Sequence, residues 1–214
     1  MTPADTADSN TGDSNTGDSN TGDSNRSDPS SSVHSSLPGN PVDLQIGSSF
    51  HEKDGWFHAG NATIVGDVRI GAGSGIWYGA TLRGDDAPII LGQRVNVQDL
   101  SVLHADPGKP LIIGDDVTIG HGAIVHCTNI GDGSLIGMGS VLLEDVEVGS
   151  GSLIAAGAVV APGTKIPPGS LVVGVPGRIV REISDTERTS FLASADKYAK
   201  NAVLFRRNYG DTPR

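Results

Sequence analysis

The residues that decide the fold are IVHCTNIGDGSLIGMGSVLLEDVEVGSGSLIAAGAVVAPGTKIPPGSLV, at positions 124–172. Every sixth residue of this segment is aliphatic, and the position two before it is small in nearly every case. The aliphatic positions are Ile124, Ile130, Ile136, Leu142, Val148, Ile154, Val160, Ile166 and Val172. A six-residue repeat of this kind is typical of a parallel β-helix. We therefore predict an all-β fold in which these nine side chains point inwards.

The repeat has a direct physical reading. Side chains two positions apart on a strand point to the same side, so a small and an aliphatic residue together fill a narrow interior. Three six-residue units close one coil of about 18 residues, and stacked coils bury a continuous aliphatic column. An ordinary β-sandwich would instead show alternation in separated strands. Glycine is about twice as frequent as usual (30 of 214 residues) and aromatics make up only 4%, which suits tight corners around a thin column.

The same register extends upstream and sets the predicted domain boundaries. Its upstream positions are Ile64, Ile70, Ile76, Leu82, Leu91, Val97 and Leu103. Residues 1–40 instead repeat TGDSN and carry six Asp and one Arg, a net charge of −5, so we predict a disordered acidic tail. We assign residues 41–180 to the β-helix and 181–214 to a C-terminal helix and tail.

A helix is predicted over about 184–208. Ser184 to Glu187 read as a capping box. Apolar residues then recur at three- and four-residue steps, at Phe191, Ala195, Tyr198, Ala202 and Phe205. This amphipathic helix should pack along the outside of the coils.

Charge and composition exclude several function classes. The net charge is −10 and no basic cluster is present, so we expect no nucleic-acid partner. No apolar run approaches the length of about 18 residues that a membrane-spanning helix needs, which argues against a membrane span and a membrane partner. No secretory signal is visible and Cys127 is the single cysteine, so we expect a cytoplasmic protein without disulfides.

Three histidines stand where the six-residue register breaks. Leu103 and Ile113 are ten residues apart instead of six, which implies a four-residue insertion within 105–110. With that insertion removed, the separation between His104 and His126 equals one full coil of about 18 residues. These two imidazoles should therefore stack on one face, while His121 should lie on another face.

Three neutral imidazoles with one open position form the ligand set of a hydrolytic or hydrating zinc site. Because one chain cannot bring the three together, His121 would come from a neighbouring copy in a symmetric assembly. Cys127 next to His126 also suggests a Cys/His site. We interpret His34, His51 and His58 as ordinary surface or capping residues.

The combined motif resembles the gamma-class carbonic anhydrase family over about residues 43–205. The matching residues are Arg83-Gly84-Asp85, Asn96-Val97-Gln98-Asp99, His104, Gly120-His121 and His126. The resemblance implies a left-handed parallel β-helix that assembles as a homotrimer, with Zn²⁺ (or Fe²⁺ or Co²⁺) at each subunit interface. It also implies reversible hydration of CO₂ to bicarbonate by a water molecule that the metal activates.

The resemblance implies a role for each matched residue. His104, His121 and His126 match the metal ligands. Gln98 and Asn96 match residues that hydrogen-bond and orient the reacting water. The matches to polar interface residues beside the metal are Arg83, Asp85 and Asp99. Tyr198 matches a tyrosine of the C-terminal helix that approaches the site.

The chain also departs from the family pattern. A proton-transferring glutamate just after the Arg-Gly-Asp motif is replaced by Asp86, and the acidic loop after the first ligand is reduced to Ala105–Pro110. Asp86 or Asp106 could substitute, and we expect slow turnover. Two alternatives stay open at this stage: a hexapeptide-repeat acyltransferase or thioesterase, and a non-catalytic trimeric scaffold with a structural metal.

Overall fold

A computed structural model describes residues 49–210, so the acidic tail predicted for residues 1–40 lies outside the described residues. The chain forms strands and one long helix, α1 (Asp185–Tyr209). The strands are β1 Phe50–Lys53, β2 Trp56–Ala59, β3 Thr63–Ile70, β4 Gly75–Ile76, β5 Thr81–Leu91, β6 Asn96–Val97, β7 Val102–His104, β8 Leu111–Ile113, β9 Thr118–Ile119, β10 Ile124–Val125, β11 Asn129–Ile130, β12 Leu135–Ile136, β13 Val141–Leu142, β14 Glu147–Val148, β15 Leu153–Ile154, β16 Val159–Val160, β17 Lys165–Ile166, β18 Ser170–Val173 and β19 Arg178–Glu182.

These strands build a β-solenoid of about six turns, as the hexapeptide pattern predicts. One face is the sheet β2-β4-β6-β9-β12-β15-β18, with parallel neighbours throughout. The long strand β5 bends around a corner, because its first half pairs with β7 and its second half with β8. The other two faces continue from those pairings as β7-β10-β13-β16 and β8-β11-β14-β17. Antiparallel strands β1 and β19 extend the first face at either end.

The predicted inward register is confirmed with one exception. Ile130 and every later repeat position as far as Val172 are buried. The apolar part of the interior consists of Ala, Val, Leu, Ile and Cys side chains, and small positions such as Ser134 and Ser140 are buried beside them. Ile124 was wrongly placed inside: it is 45% exposed, and Val125 is fully buried in its stead. Val125 pairs with Leu142, so this coil is a single residue shorter than the regular repeat and the register slips there.

The corners of the coils need backbone conformations with positive φ. Gly133, Gly139, Gly151, Gly157 and Gly163 supply them at spacings of six or twelve residues. Glycine is favoured there because other residues bring their Cβ close to a carbonyl oxygen. Non-glycine residues also occupy left-handed corners, namely Arg94, Leu100, Asp116 and Asp145.

Helix α1 begins and packs as the sequence predicts. The Ser184 hydroxyl accepts a hydrogen bond from Glu187 N, and the Glu187 carboxylate accepts one from Ser184 N, which completes the capping box. Phe191, Ala195 and Ala202 are buried where α1 lies along the face that contains β4, β6 and β9. A cluster of aromatic rings, outside the coil interior, joins α1 to the β1–β2 hairpin. Its rings belong to Phe50, Phe57, Trp77, Tyr78, Tyr198 and Phe205. Within residues 49–210, no helix is long and apolar enough to cross a membrane.

Truncating an inward aliphatic side chain should destabilise the fold far more than truncating an outward one. Ile136 is fully buried, and we expect Ile136→Ala to lower the free energy of unfolding by about 2–5 kcal/mol through lost burial and a residual cavity. Ile112 is 47% exposed on β8, so Ile112→Ala should change it by less than about 0.5 kcal/mol. Urea unfolding measures both, and similar losses for the two variants would contradict the assigned register.

Candidate metal centre

Two histidines stack on one face of the solenoid. His104 ends β7 and His126 follows β10, and the pairing of Leu103 with Val125 places the two side by side. Their rings are stacked with centroids 5.2 Å apart and an interplanar angle of 14°. His126 Nε2 lies 3.1 Å from His104 Nδ1. The stacking predicted from the corrected coil length is therefore confirmed.

Carboxylates surround this histidine pair. Asp86 Oδ2 lies 3.2 Å and Asp85 Oδ1 3.7 Å from His104 Nε2, while Asp106 Oδ1 lies 3.4 Å from His126 Nε2. His104 Nε2 is nevertheless a buried atom that makes no hydrogen bond. The pair thus combines closely spaced nitrogens with an unsatisfied buried nitrogen and nearby negative charge.

Arg83 holds one of these carboxylates in place. Its guanidinium donates a hydrogen bond of 3.0 Å to Asp85 Oδ2, and this contact lowers the pKa of the Asp85 carboxyl. Asp85 therefore keeps its negative charge beside His104 at neutral pH. The subunit-interface role that the family resemblance implies for Arg83 and Asp85 stays a prediction.

His121 lies away from the pair, at a corner that follows β9 on the neighbouring face. Its Nδ1 is 2.8 Å from Asp99 Oδ2, and Asp99 Oδ1 accepts a hydrogen bond from Tyr78 N at 3.1 Å. A carboxylate on one ring nitrogen fixes the tautomer, so His121 presents the lone pair of Nε2 outwards. Asp99 is thus a positioning partner of His121, and the predicted placement of His121 on a separate face is confirmed.

Gln98 and Asn96 form a buried hydrogen-bonded chain behind His121. Gln98 Oε1 accepts from His121 N at 3.2 Å, and Gln98 Nε2 donates to Asn96 Oδ1 at 3.1 Å. Asn96 Nδ2 in turn donates to Thr118 Oγ1 at 2.9 Å. Since the amide of Gln98 has two N–H groups, one remains for a ligand beside His121. The sequence analysis missed Thr118, which stands one coil after Asn96 in the register.

Tyr198 brings helix α1 to this region. It lines a cavity of about 470 Å³ together with Gln98 and His121, and a second cavity of about 250 Å³ together with Asp99. Burial, and to a lesser extent the charge of Asp99, raises the pKa of Tyr198. Its hydroxyl therefore stays protonated at neutral pH and is available to donate a hydrogen bond.

The sequence analysis also missed Glu144. Its Oε1 lies 3.6 Å from His126 Nδ1, on the side of the ring away from His104. Val125 pairs with Leu142, so Leu143 is level with His126 in the ladder, and Glu144 follows Leu143 directly. Glu144 stands 18 residues after His126, so counting one regular coil from this histidine would have found it.

Cys127 does not belong to the site. Its side chain points into the aliphatic interior and is 2% exposed, although it is adjacent to His126 in sequence. Burial raises the pKa of its thiol to about 12. A mixed Cys/His site is therefore wrong for this chain.

The spacing of the His104 and His126 imidazoles fits two ligands of one transition-metal ion. Zinc–nitrogen bonds of about 2.0–2.1 Å in a tetrahedral site place two ligand nitrogens about 3.3 Å apart, close to the 3.1 Å between His126 Nε2 and His104 Nδ1. A competing donor set also exists within one chain, because ligand atoms of Asp85, Asp86 and His104 lie within 4.8 Å of one another.

Comparisons with known proteins define the class first. A family model for bacterial transferase hexapeptide (six repeats) matches residues 127–162. The solved structure of a Bacillus cereus protein described as a putative acetyltransferase aligns with a TM-score of 0.70 and 41% identity, over 72% of this chain and 90% of that one. A hexapeptide transferase family protein from Anaplasma phagocytophilum aligns with a TM-score of 0.68 and 37% identity, over 71% and 90%. The chain is thus a hexapeptide-repeat protein.

Similar curated proteins narrow this class to one family. A probable carbonic anhydrase of Methanocaldococcus jannaschii is 51% identical over 66% of this chain and 89% of its own length. The carbonic anhydrase of Geobacillus kaustophilus is 50% identical over 61% and 72%. Gamma carbonic anhydrase 1 of Arabidopsis thaliana mitochondria is 43% identical over 68% of this chain and 55% of its own length. The chain belongs to the gamma-class carbonic anhydrase family, which confirms the resemblance seen in the motifs.

The buried thiol gives a direct test of the site's composition. At pH 8 we expect Cys127 in the native protein to react with a thiol reagent at least about a thousandfold more slowly than in urea, because thiolate is the reactive form. Absorbance of the released chromophore measures the rate, and Cys127 is the only cysteine, so no other thiol contributes. Equal rates in the native and unfolded protein would place this side chain at the surface.

Proposed function

We propose that the protein is a metal-dependent carbonic anhydrase that hydrates CO₂ reversibly at sites shared between the subunits of a homotrimer. The proposal rests on the placement of the three histidines on two different faces of the solenoid. His104 and His126 are already paired on one face, whereas Asp99 orients His121 on another corner. A cyclic assembly would bring His121 of one chain to the pair of the next.

Zn²⁺ is the proposed ion, and Fe²⁺ or Co²⁺ would suit the same donors. His104, His121 and His126 would hold it, which leaves a fourth position for water or substrate. Bound there, zinc supplies the Lewis acidity that lowers the pKa of water, so that water can lose a proton and attack CO₂ near neutral pH.

The surrounding residues would orient the reactants and accept protons. The free N–H of Gln98, held in place by Asn96 and by His121 N, would donate to an oxygen of water or bicarbonate. Tyr198 would donate a second hydrogen bond from helix α1. Asp86 and Asp106 are the proposed proton acceptors, and slow turnover and a cytoplasmic location stay predictions.

Acyl transfer is the second candidate, because the Bacillus cereus structure at 41% identity is described as a putative acetyltransferase. A histidine acting as general base would suffice for that chemistry. Stopped-flow CO₂ hydration and an acetyl-CoA consumption assay, run on one metal-analysed sample, separate the candidates. CO₂ hydration that disappears with the metal supports the anhydrase, whereas metal-independent use of acetyl-CoA supports the transferase.

Mixing two inactive variants tests the sharing of ligands between chains. We expect His121→Ala and the double variant His104→Ala/His126→Ala each to lose bound zinc and CO₂ hydration. Refolded together in equal amounts, they should recover about a quarter of the wild-type zinc and activity, since about one interface in four then joins two intact halves.

Each variant refolded alone is the control for this experiment. Recovery only in the mixture supports the shared site. A His121→Ala protein that binds zinc as tightly as the wild type, or a mixture with no recovery, would contradict it.

Glu144 should tune metal affinity through His126. A carboxylate beside the second ring nitrogen of a ligating histidine orients the ring, and its loss weakens binding by about 10–100-fold. We therefore expect Glu144→Gln to raise the zinc dissociation constant by that factor in a competitive chelator titration. Glu147→Gln is the matched control, because Glu147 pairs with Lys165 on another face. Equal affinity for both variants would remove Glu144 from the site.

A further inference from the structure

A leucine occupies a corner position where glycine is the usual residue. Leu100 has a φ of 63°, whereas the equivalent corners one coil before and after are Gly79 (φ 67°) and Gly122 (φ 66°). Backbone hydrogen bonds from Leu100 N to Tyr78 O and from Gly122 N to Asp99 O establish that these corners are stacked. Left-handed backbone is unfavourable for a bulky residue such as leucine.

Packing within the chain does not account for this strained leucine. Its side chain is 70% exposed and leans over Gly79, where an added Cβ would lie 2.9 Å from Leu100 Cδ2. Strained residues persist where the surrounding structure or a function requires them, and they cluster at functional sites. Leu100 directly follows Asp99, the residue that orients His121.

Other apolar side chains are exposed near this corner. Met138 is 58% exposed at the next stacked corner beyond His121, where Gly139 N donates to His121 O. Val102 and Ile124 are paired on adjacent strands and are 38% and 45% exposed. Val102 and Ile124 form an apolar stripe on the same face as the histidine pair. Exposed apolar side chains placed side by side favour contact with another protein surface.

We propose that Leu100 is the apolar anchor by which a second copy of this chain docks on the His121 corner. Leu100 would pack on the stripe of the second copy. The proposal rests on the shared metal centre, because the copy that supplies the histidine pair brings its own stripe along the same face. An anchor adjacent to Asp99 also holds His121 at the interface and excludes water around the ion.

Two substitutions separate association from folding. Leu100→Asn keeps a side chain of similar size that tolerates the left-handed conformation, and Leu100→Gly removes both the strain and the anchor. Sedimentation velocity over a concentration series measures the protein concentration at which the assembly dissociates. We expect this concentration to be at least about tenfold higher for both variants than for the wild type. At dilutions where all are dissociated, both should unfold at urea concentrations no lower than the wild type. Zinc loss to a chelator should accelerate in parallel with dissociation.

Asp54→Gly is the control, because Asp54 has a φ of 50° in the β1–β2 turn. It relieves a similar backbone conformation and should leave dissociation unchanged. If the wild type is trimeric and the Leu100→Asn and Leu100→Gly trimers dissociate at the same protein concentration as the wild type, Leu100 is not the anchor. The shared metal centre would be unaffected by that result. A wild type that is monomeric at every concentration overturns the shared metal centre, and with it the proposed occupant.

Discussion

The structure depends on one constraint: each coil must place its backbone hydrogen bonds in register with the coils on either side. Ile136, for example, pairs with Ile119 before it and Ile154 after it, so equivalent positions stack at intervals of one coil. Aliphatic side chains then form the interior, and glycines or other left-handed residues form the corners. The same stacking places polar residues in columns outside. The ladders that stabilise the fold therefore also position the candidate metal ligands.

One irregularity in the register shapes the histidine pair. The insertion after His104 lengthens one coil and brings Asp106 beside the histidine pair. Glu144, 18 residues after His126, lies beside the other nitrogen of that ring. His121 instead belongs to a different column, with its tautomer set by Asp99. One chain thus carries the two halves of the proposed metal site on separate surfaces, which links the proposed chemistry to assembly.

Periodicity made most of this architecture predictable from sequence. The solenoid, helix α1 with its Ser184 cap, and the stacking of His104 on His126 all follow from counting residues. Counting failed at Ile124, because Ile124 and Val125 are both aliphatic and either can extend the pattern. Glu144 was overlooked although it stands 18 residues, one regular coil, after His126. The contact of Asn96 with Thr118 instead depends on side-chain rotamers that a period does not specify. Local spacing predicts columns of residues, whereas individual contacts require three-dimensional packing.

In the proposed assembly, the metal is held between chains. Anomalous diffraction at the zinc edge, from crystals of the zinc-loaded protein, tests it most directly. We expect one peak per subunit, within about 2.1 Å of nitrogens from His104 and His126 of one chain and His121 of its neighbour. A peak enclosed by Asp85, Asp86 and His104 of a single chain would contradict it.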